Sequence, residues 1–143
     1  MSNNIIIKVP KTITMGSVHK YTPLQIIGYV KNKLLKQKYP SLSEYSGCCY
    51  EQKGLKCAVG HLIAEKDIKN IKLKGLNDID VSTLIEEYFY KTRISKKKIL
   101  LLERLQTLHD NVKQGYIFNA DMFDEIIKLY STNDITFVYD EAK

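Results

Sequence analysis

Only two segments of this sequence have the β-branched density of a strand, and they stand at its opposite ends. They are Ile5-Ile6-Ile7-Lys8-Val9, closed by Pro10, and Ile135-Thr136-Phe137-Val138-Tyr139. A strand leaves backbone groups unsatisfied until another strand pairs with it, and each run is the other's natural partner. If they pair, both ends of the chain are tied into one small sheet, with helices and loops packed around that closure. This predicts an α+β fold, one compact domain over residues 1–143 with about five helices and a small sheet or hairpin pairing the N- and C-terminal strands.

Helix signals fill the interior. Thr22, Pro23 and Gln25 form a helix start: a hydroxyl cap, proline at the first helical position and glutamine three residues after the cap. Ile26, Ile27, Val30, Leu34 and Leu35 supply the apolar face to about Gln37, and Lys31, Lys33, Lys36 and Lys38 lie mostly opposite, as a solvated side. Residues 11–21, with His19, read as a loop. Residues 65–76 are charged, loosely spaced and broken by Gly75, and read as an irregular loop or edge strand. Asp80 or Ser82 caps a helix burying Val81, Leu84, Ile85, Tyr88 and Phe89. The longest helix opens at Ser95, carries Ile99, Leu102, Leu105, His109 and Val112 on one stripe, and closes at Gly115. Lys96, Lys97 and Lys98 in its first turn oppose the helix dipole, a conflict that reads first as a small instability at an exposed site and second as a place where an anion docks. Asn119 caps a last helix with Met122, Phe123, Ile126, Ile127 and Leu129 inside.

The densest chemistry lies in Cys48–Ile63, CCYEQKGLKCAVGHLI. Residues 50–55 read as a hairpin turning at Gly54, and Ala58, Val59, Leu62 and Ile63 as one face of a following helix. Cys57 then stands at the helix start, where unpaired amides and the dipole favour a thiolate or a bound anion. Against this, cysteines in reducing compartments are commonly small buried hydrophobes. A metal is disfavoured: Cys57 and His61 make one plausible ligand pair, whereas the adjacent Cys48 and Cys49 point apart. No secretory segment supports a disulfide to Cys57.

These residues resemble a family of small uncharacterised bacteriophage and prophage proteins. The similarity lies in Cys48, Tyr50, Gly54, Lys56, Cys57, Ala58, Val59, Gly60, Leu62 and Ile63, and later in Leu105, Gln106, His109 and Asp110 within a leucine-rich helix. It spans roughly Thr22 to Tyr130, so that the terminal strands are additions, and Glu51 stands where such proteins commonly carry arginine. The resemblance brings no established activity; it implies a phage-type accessory role.

Twenty-two Lys and Arg against sixteen Asp and Glu give a net charge of +6, which favours anionic partners or reflects a solvated lysine surface. The leading expectation is a binding protein for an anionic, nucleotide-like small molecule, in the manner of a counter-defence protein that sequesters a host signalling nucleotide. Cys57 amides would hold a phosphate, Lys53, Lys56 and His61 would line it, and Tyr50 would stack on a ring. The alternative is a thiol hydrolase or transferase with Cys57 as nucleophile, His109 as base and Asp110 as orienter. Asp110 suits that role poorly, since adjacent helical residues diverge by about 100°. His109 on an apolar stripe also reads as a hydrogen-bonded core residue. Nucleic-acid binding is disfavoured because the lysines are scattered and no glycine-rich or aromatic recognition motif is present. No cofactor and no metal is expected, and a homo-oligomer is compatible with the sequence. No apolar run approaches a membrane span and the N-terminus lacks the pattern of a signal peptide, so a cytoplasmic protein is expected.

Overall fold

The computed structural model describes residues 3–43, 47–113 and 115–140, with the side chains of residues 43, 47 and 48 outside that description. In chain order the elements are β1 (Asn4–Val9), α1 (Pro23–Gln37), β2 (Leu42–Ser43), β3 (Gly47–Cys48), β4 (Glu51–Gln52), β5 (Leu55–Lys56), a 3-10 turn (Val59–Leu62), α2 (Glu65–Leu73), α3 (Val81–Glu87), α4 (Lys96–Asp110), α5 (Asp124–Tyr130) and β6 (Asp134–Tyr139). The architecture is α+β, with five α-helices and three two-stranded sheets among the described residues. The terminal strands do pair: β1 and β6 run parallel, Asn4 opposite Asp134 and Val9 opposite Tyr139. β2 pairs with β3 and β4 with β5, both antiparallel.

α1 carries the full capping box read from its sequence. Gln25 N–H donates to Thr22 Oγ1 at 3.2 Å, and Thr22 N–H donates back to Gln25 Oε1 at 3.0 Å. Its mid-helix Gly28 has a packing cause. A Cβ there would stand 2.5 Å from the Phe137 ring and 2.9 Å from Val9, so the helix backbone lies directly on the terminal sheet. Tyr139 fastens the contact by donating its hydroxyl proton to Gly28 O at 3.0 Å. The core then runs from Ile26, Ile27, Val30 and Leu34 of α1 to Leu84 of α3, Leu101, Leu102 and Leu105 of α4, and Phe123.

Four expectations are corrected. Residues 65–73 form α2, not a loop or edge strand: Ile68 and Ile71, three residues apart, are buried on one face while Leu73 is exposed and outside the stripe. The helix expected from Cys57 is a four-residue 3-10 turn entered through Ala58. α4 ends at Asp110 with Asn111 as its cap, well before Gly115. Asn119 caps a 3-10 turn (Ala120–Phe123) leading into the short α5, which buries Ile126 and leaves Leu129 exposed.

Candidate functional site

The hairpin at the centre of the sequence forms as expected. Lys53 and Gly54 both take positive φ, +53° and +83°, the pair of left-handed residues that a two-residue antiparallel turn requires. The chain then turns inward. Cys57 is 0% exposed, its N–H donates to Tyr50 O at 3.4 Å and its Sγ accepts from Gly60 N–H at 3.3 Å. Val59 N–H donates to Gln106 Oε1 at 3.2 Å, and His61 N–H to Cys57 O at 3.2 Å. The amides expected to bind an anion are therefore committed inside the protein, around a buried thiol. Gly60 makes this closeness feasible: a Cβ there would lie 2.0 Å from Tyr50 O.

The other residues assigned to that anion have structural work as well. Tyr50 is 3% exposed and donates its hydroxyl to Ile79 O at 2.6 Å, so its ring is wedged under the 77–81 segment. Lys56 Nζ pairs with Glu65 Oε1 at 2.6 Å. Gln37 Oε1 accepts from Lys56 N–H and lies 2.9 Å from His61 Nε2, which places the imidazole proton on Nε2. Burial first, then the charges of Lys56 and Lys33 and the neighbouring His109, push the His61 pKa down to about 3. His61 is consequently neutral at physiological pH and contributes no positive charge.

His109 and Asp110 do meet, contrary to the divergence expected of helical neighbours, because Asp110 is the last residue of α4 and its carboxylate folds back. Asp110 Oδ1 lies 2.9 Å from His109 Nδ1 and accepts from Gln106 Nε2 at 3.0 Å. On the other side of the ring, His109 Nε2 accepts the Ser41 N–H at 3.0 Å. That donor fixes the proton on Nδ1 and occupies the lone pair that a general base would need. The imidazole is fully buried beside Phe118 and Cys57 is buried too, so neither member of the expected pair is open to a substrate. Cys49 is a buried thiol outside any disulfide, like Cys57, and its Sγ lies 3.1 Å from Gln52 Oε1. The Cys48 side chain lies outside the described residues, and no group of three or more metal-capable side chains occurs among those described.

A cleft of about 300 Å³ opens instead between residues 77–81 and one face of α4, with Cys49 and Tyr50 at its base. α4 contributes Glu103, Gln106, Thr107 and Asp110, spaced i, i+3, i+4 and i+7 on one face of the helix. Asp78 and Asp80 face them from the loop. The cleft's neutral donors are engaged internally: Gln106 Nε2 with Asp110, Asn77 Nδ2 with Glu51 O at 3.0 Å, Thr107 Oγ1 with Glu103 O at 3.0 Å, and Tyr50 OH with Ile79 O. Asp80 caps α3, and the Thr83 hydroxyl and amide on its carboxylate lower its pKa. The walls thus carry four carboxylates in a chain of net positive charge, two of which, Asp80 and Asp110, also accept hydrogen bonds from within the fold.

A second, shallower cavity of about 480 Å³ shares Cys49, Asn77 and Asp78 with the cleft, and brings in Lys53 and Lys72. Lys72 is ion-paired with Glu51, and that contact, with the Gly54 amide, holds the Glu51 carboxyl below its ordinary pKa. Of the residues singled out in the sequence, the structure brings Tyr50, Lys53 and Asp110 to this connected groove and places Cys57, His61 and His109 in the packed interior or against it. The residues missed carry two legible signals: a polar stripe beside the leucine stripe of α4, and the Asn77-Asp78-Ile79-Asp80 run ahead of a helix cap.

No protein-family model matches the chain, and neither characterised proteins nor solved structures give a match. No helix among the described residues is long and apolar enough to cross a membrane.

Proposed function

We propose that this is a ligand-binding accessory protein without a catalytic step, and that its ligand carries a compact cation, a primary ammonium or a guanidinium. The observation that carries this reading is the cleft between residues 77–81 and α4, whose side-chain amide and hydroxyl donors are committed internally and whose walls carry Asp78, Asp80, Glu103 and Asp110, Asp80 also accepting from Thr83 and Asp110 from Gln106. An ionised carboxylate only accepts hydrogen bonds, so the complementary group is a donor without acceptors. Charge-assisted bonds of this kind contribute about 1.5–3 kcal/mol each.

A second reading rests on the adjoining cavity. Lys53 and Lys72 there would hold a phosphate while the carboxylates took the amino and hydroxyl groups of a base and ribose. This keeps a nucleotide-like ligand and the counter-defence role that goes with a phage-type protein, but moves the site away from Cys57.

A thermal-shift panel separates the two. Agmatine and spermidine raising Tm in the millimolar range, with nucleosides, nucleotides, cyclic dinucleotides and inorganic phosphate inert, supports the cation. Nucleotides exceeding both nucleosides and phosphate supports the two-part groove. Absence of any shift at concentrations far above a micromolar Kd removes both.

A further inference from the structure

A hollow of about 380 Å³ separates the chain leaving α1 from the 52–55 turn of the hairpin, and it shares no lining residue with the carboxylate cleft. Its chemistry is the reverse of the cleft's. Pro40, Leu42 and Leu55 give it apolar walls, Gln52 and Lys53 supply its polar groups, and no carboxylate lines it among the described residues. The Cys49 thiol occupies Gln52 Oε1 at 3.1 Å, while Gln52 Nε2 has no partner among the described residues and remains a donor. Tyr39, 49% exposed, stands at the hollow; Gly115 lines it too, and the next residue, Tyr116, is 68% exposed. The Phe118 N–H donates to Lys38 O at 2.9 Å and holds the 115–118 segment against the end of α1. Two exposed tyrosines 77 positions apart in sequence thus share one surface, and each contributing segment carries an exposed lysine, Lys38, Lys53 or Lys113.

The geometry points to this surface as a binding site for single-stranded nucleic acid, independent of the cleft and its ligand. One base stacks on Tyr39 over the hollow, a neighbour stacks on Tyr116, and Lys38, Lys53 and Lys113 take the phosphates beside them. Gln52 Nε2 donates to the edge of the first base. The occupant must bring both rings and negative charge. A plain polyanion would engage the lysines and leave the tyrosines idle, and a duplex keeps its base faces stacked inside. The lysine scatter that argues against nucleic acid in the sequence is a matter of chain order: the rings and cations come from three segments that only the fold collects.

Fluorescence anisotropy with labelled single strands of oligothymidylate and oligouridylate, at about 0.1 M salt, is expected to give a Kd in the micromolar range for at least one of them. Tyr39→Ala and Tyr116→Ala should each weaken binding about tenfold, with an unchanged circular dichroism spectrum because both side chains are exposed. Tyr39→Phe and Tyr116→Phe keep the ring face and should keep the affinity. Tyr90→Ala is the matched control: Tyr90 is 62% exposed and also stands next to a lysine, Lys91, but lies outside this surface, so its removal should leave binding in place. Lys53→Gln should lower the slope of log Kd against log salt by about 0.7, the value for one phosphate contact on a single strand. Unlabelled duplex and polyglutamate should compete poorly. No anisotropy change with either strand at millimolar protein, duplex or polyglutamate competing as well as the strand, or Tyr90→Ala costing as much as Tyr39→Ala and Tyr116→Ala would overturn the assignment.

Discussion

The hairpin and 3-10 turn over residues 50–63 and the cleft walled by residues 77–81 and α4 divide the chemistry of this protein in an unexpected way. The first holds the cysteine, histidine and glycines that look reactive in the sequence, and nearly all of them face inward with their hydrogen bonds made. The second is built of aspartate, glutamate and amides that look like ordinary surface, and it lines an open cleft with carboxylates. Reactive residue types are not themselves a site; a site needs polar groups that a ligand can reach from outside. The 50–63 segment is better understood as the plug that seats the hairpin against α1 and α4, with Gln37 and Gln106 as polar latches.

That contrast predicts large stability effects and no direct effect on cleft binding in the plug, and the reverse in the cleft. The largest effect is expected at Gly60. With backbone oxygen 2.0 Å from a new Cβ, Gly60→Ala should destabilise by about 3 kcal/mol or more, read as a lower urea midpoint. A variant near wild-type stability would break the comparison at its centre.

The next effect is pH dependence from His61. Its pKa is lowered on folding, so the unfolded chain binds the proton more readily; stability is complete above the unfolded value of about 6.5 and declines as pH falls toward 3. Between pH 7 and 5 the loss from this residue is about 2 kcal/mol, and His61→Gln should flatten that slope in urea titrations at stepped pH. Glu51 and Asp80, also lowered on folding, act later, as pH falls through the carboxylate range.

Smaller again is Tyr50→Phe, which strands the Ile79 carbonyl and should cost about 1 kcal/mol. The least change in stability is expected at Glu103→Gln, within about 0.5 kcal/mol of wild type, yet this variant should weaken binding of an ammonium or guanidinium probe by about tenfold. If instead it left probe affinity intact while Cys57→Ser abolished it without unfolding, the roles of the two regions would be exchanged.

What could be read from the sequence follows from how local each signal is. The capping box at Thr22, Pro23 and Gln25 and the β-branched termini are written in adjacent residues, and both formed. α2 was obscured because only Ile68 and Ile71 are buried in nine residues and the exposed Leu73 blurs the period. Ala58, Val59, Leu62 and Ile63 carry a helical spacing that the fold does not extend, because the hairpin and Gly60 pin the backbone after one tight turn. The cleft was hidden for a different reason. Glu103 and Asp78 stand 25 positions apart, and only tertiary packing shows that they line one cleft.

The parallel ladder between the chain's two ends also sets a schedule for its assembly. Asn4 meets Asp134, a partner made 130 positions later. At roughly 5–20 residues per second of synthesis, the isoleucine strand waits on the order of ten seconds at the ribosome surface before anything can zip to it. The helical interior has time to condense first, which leaves the terminal clasp to shut last, over a body already formed.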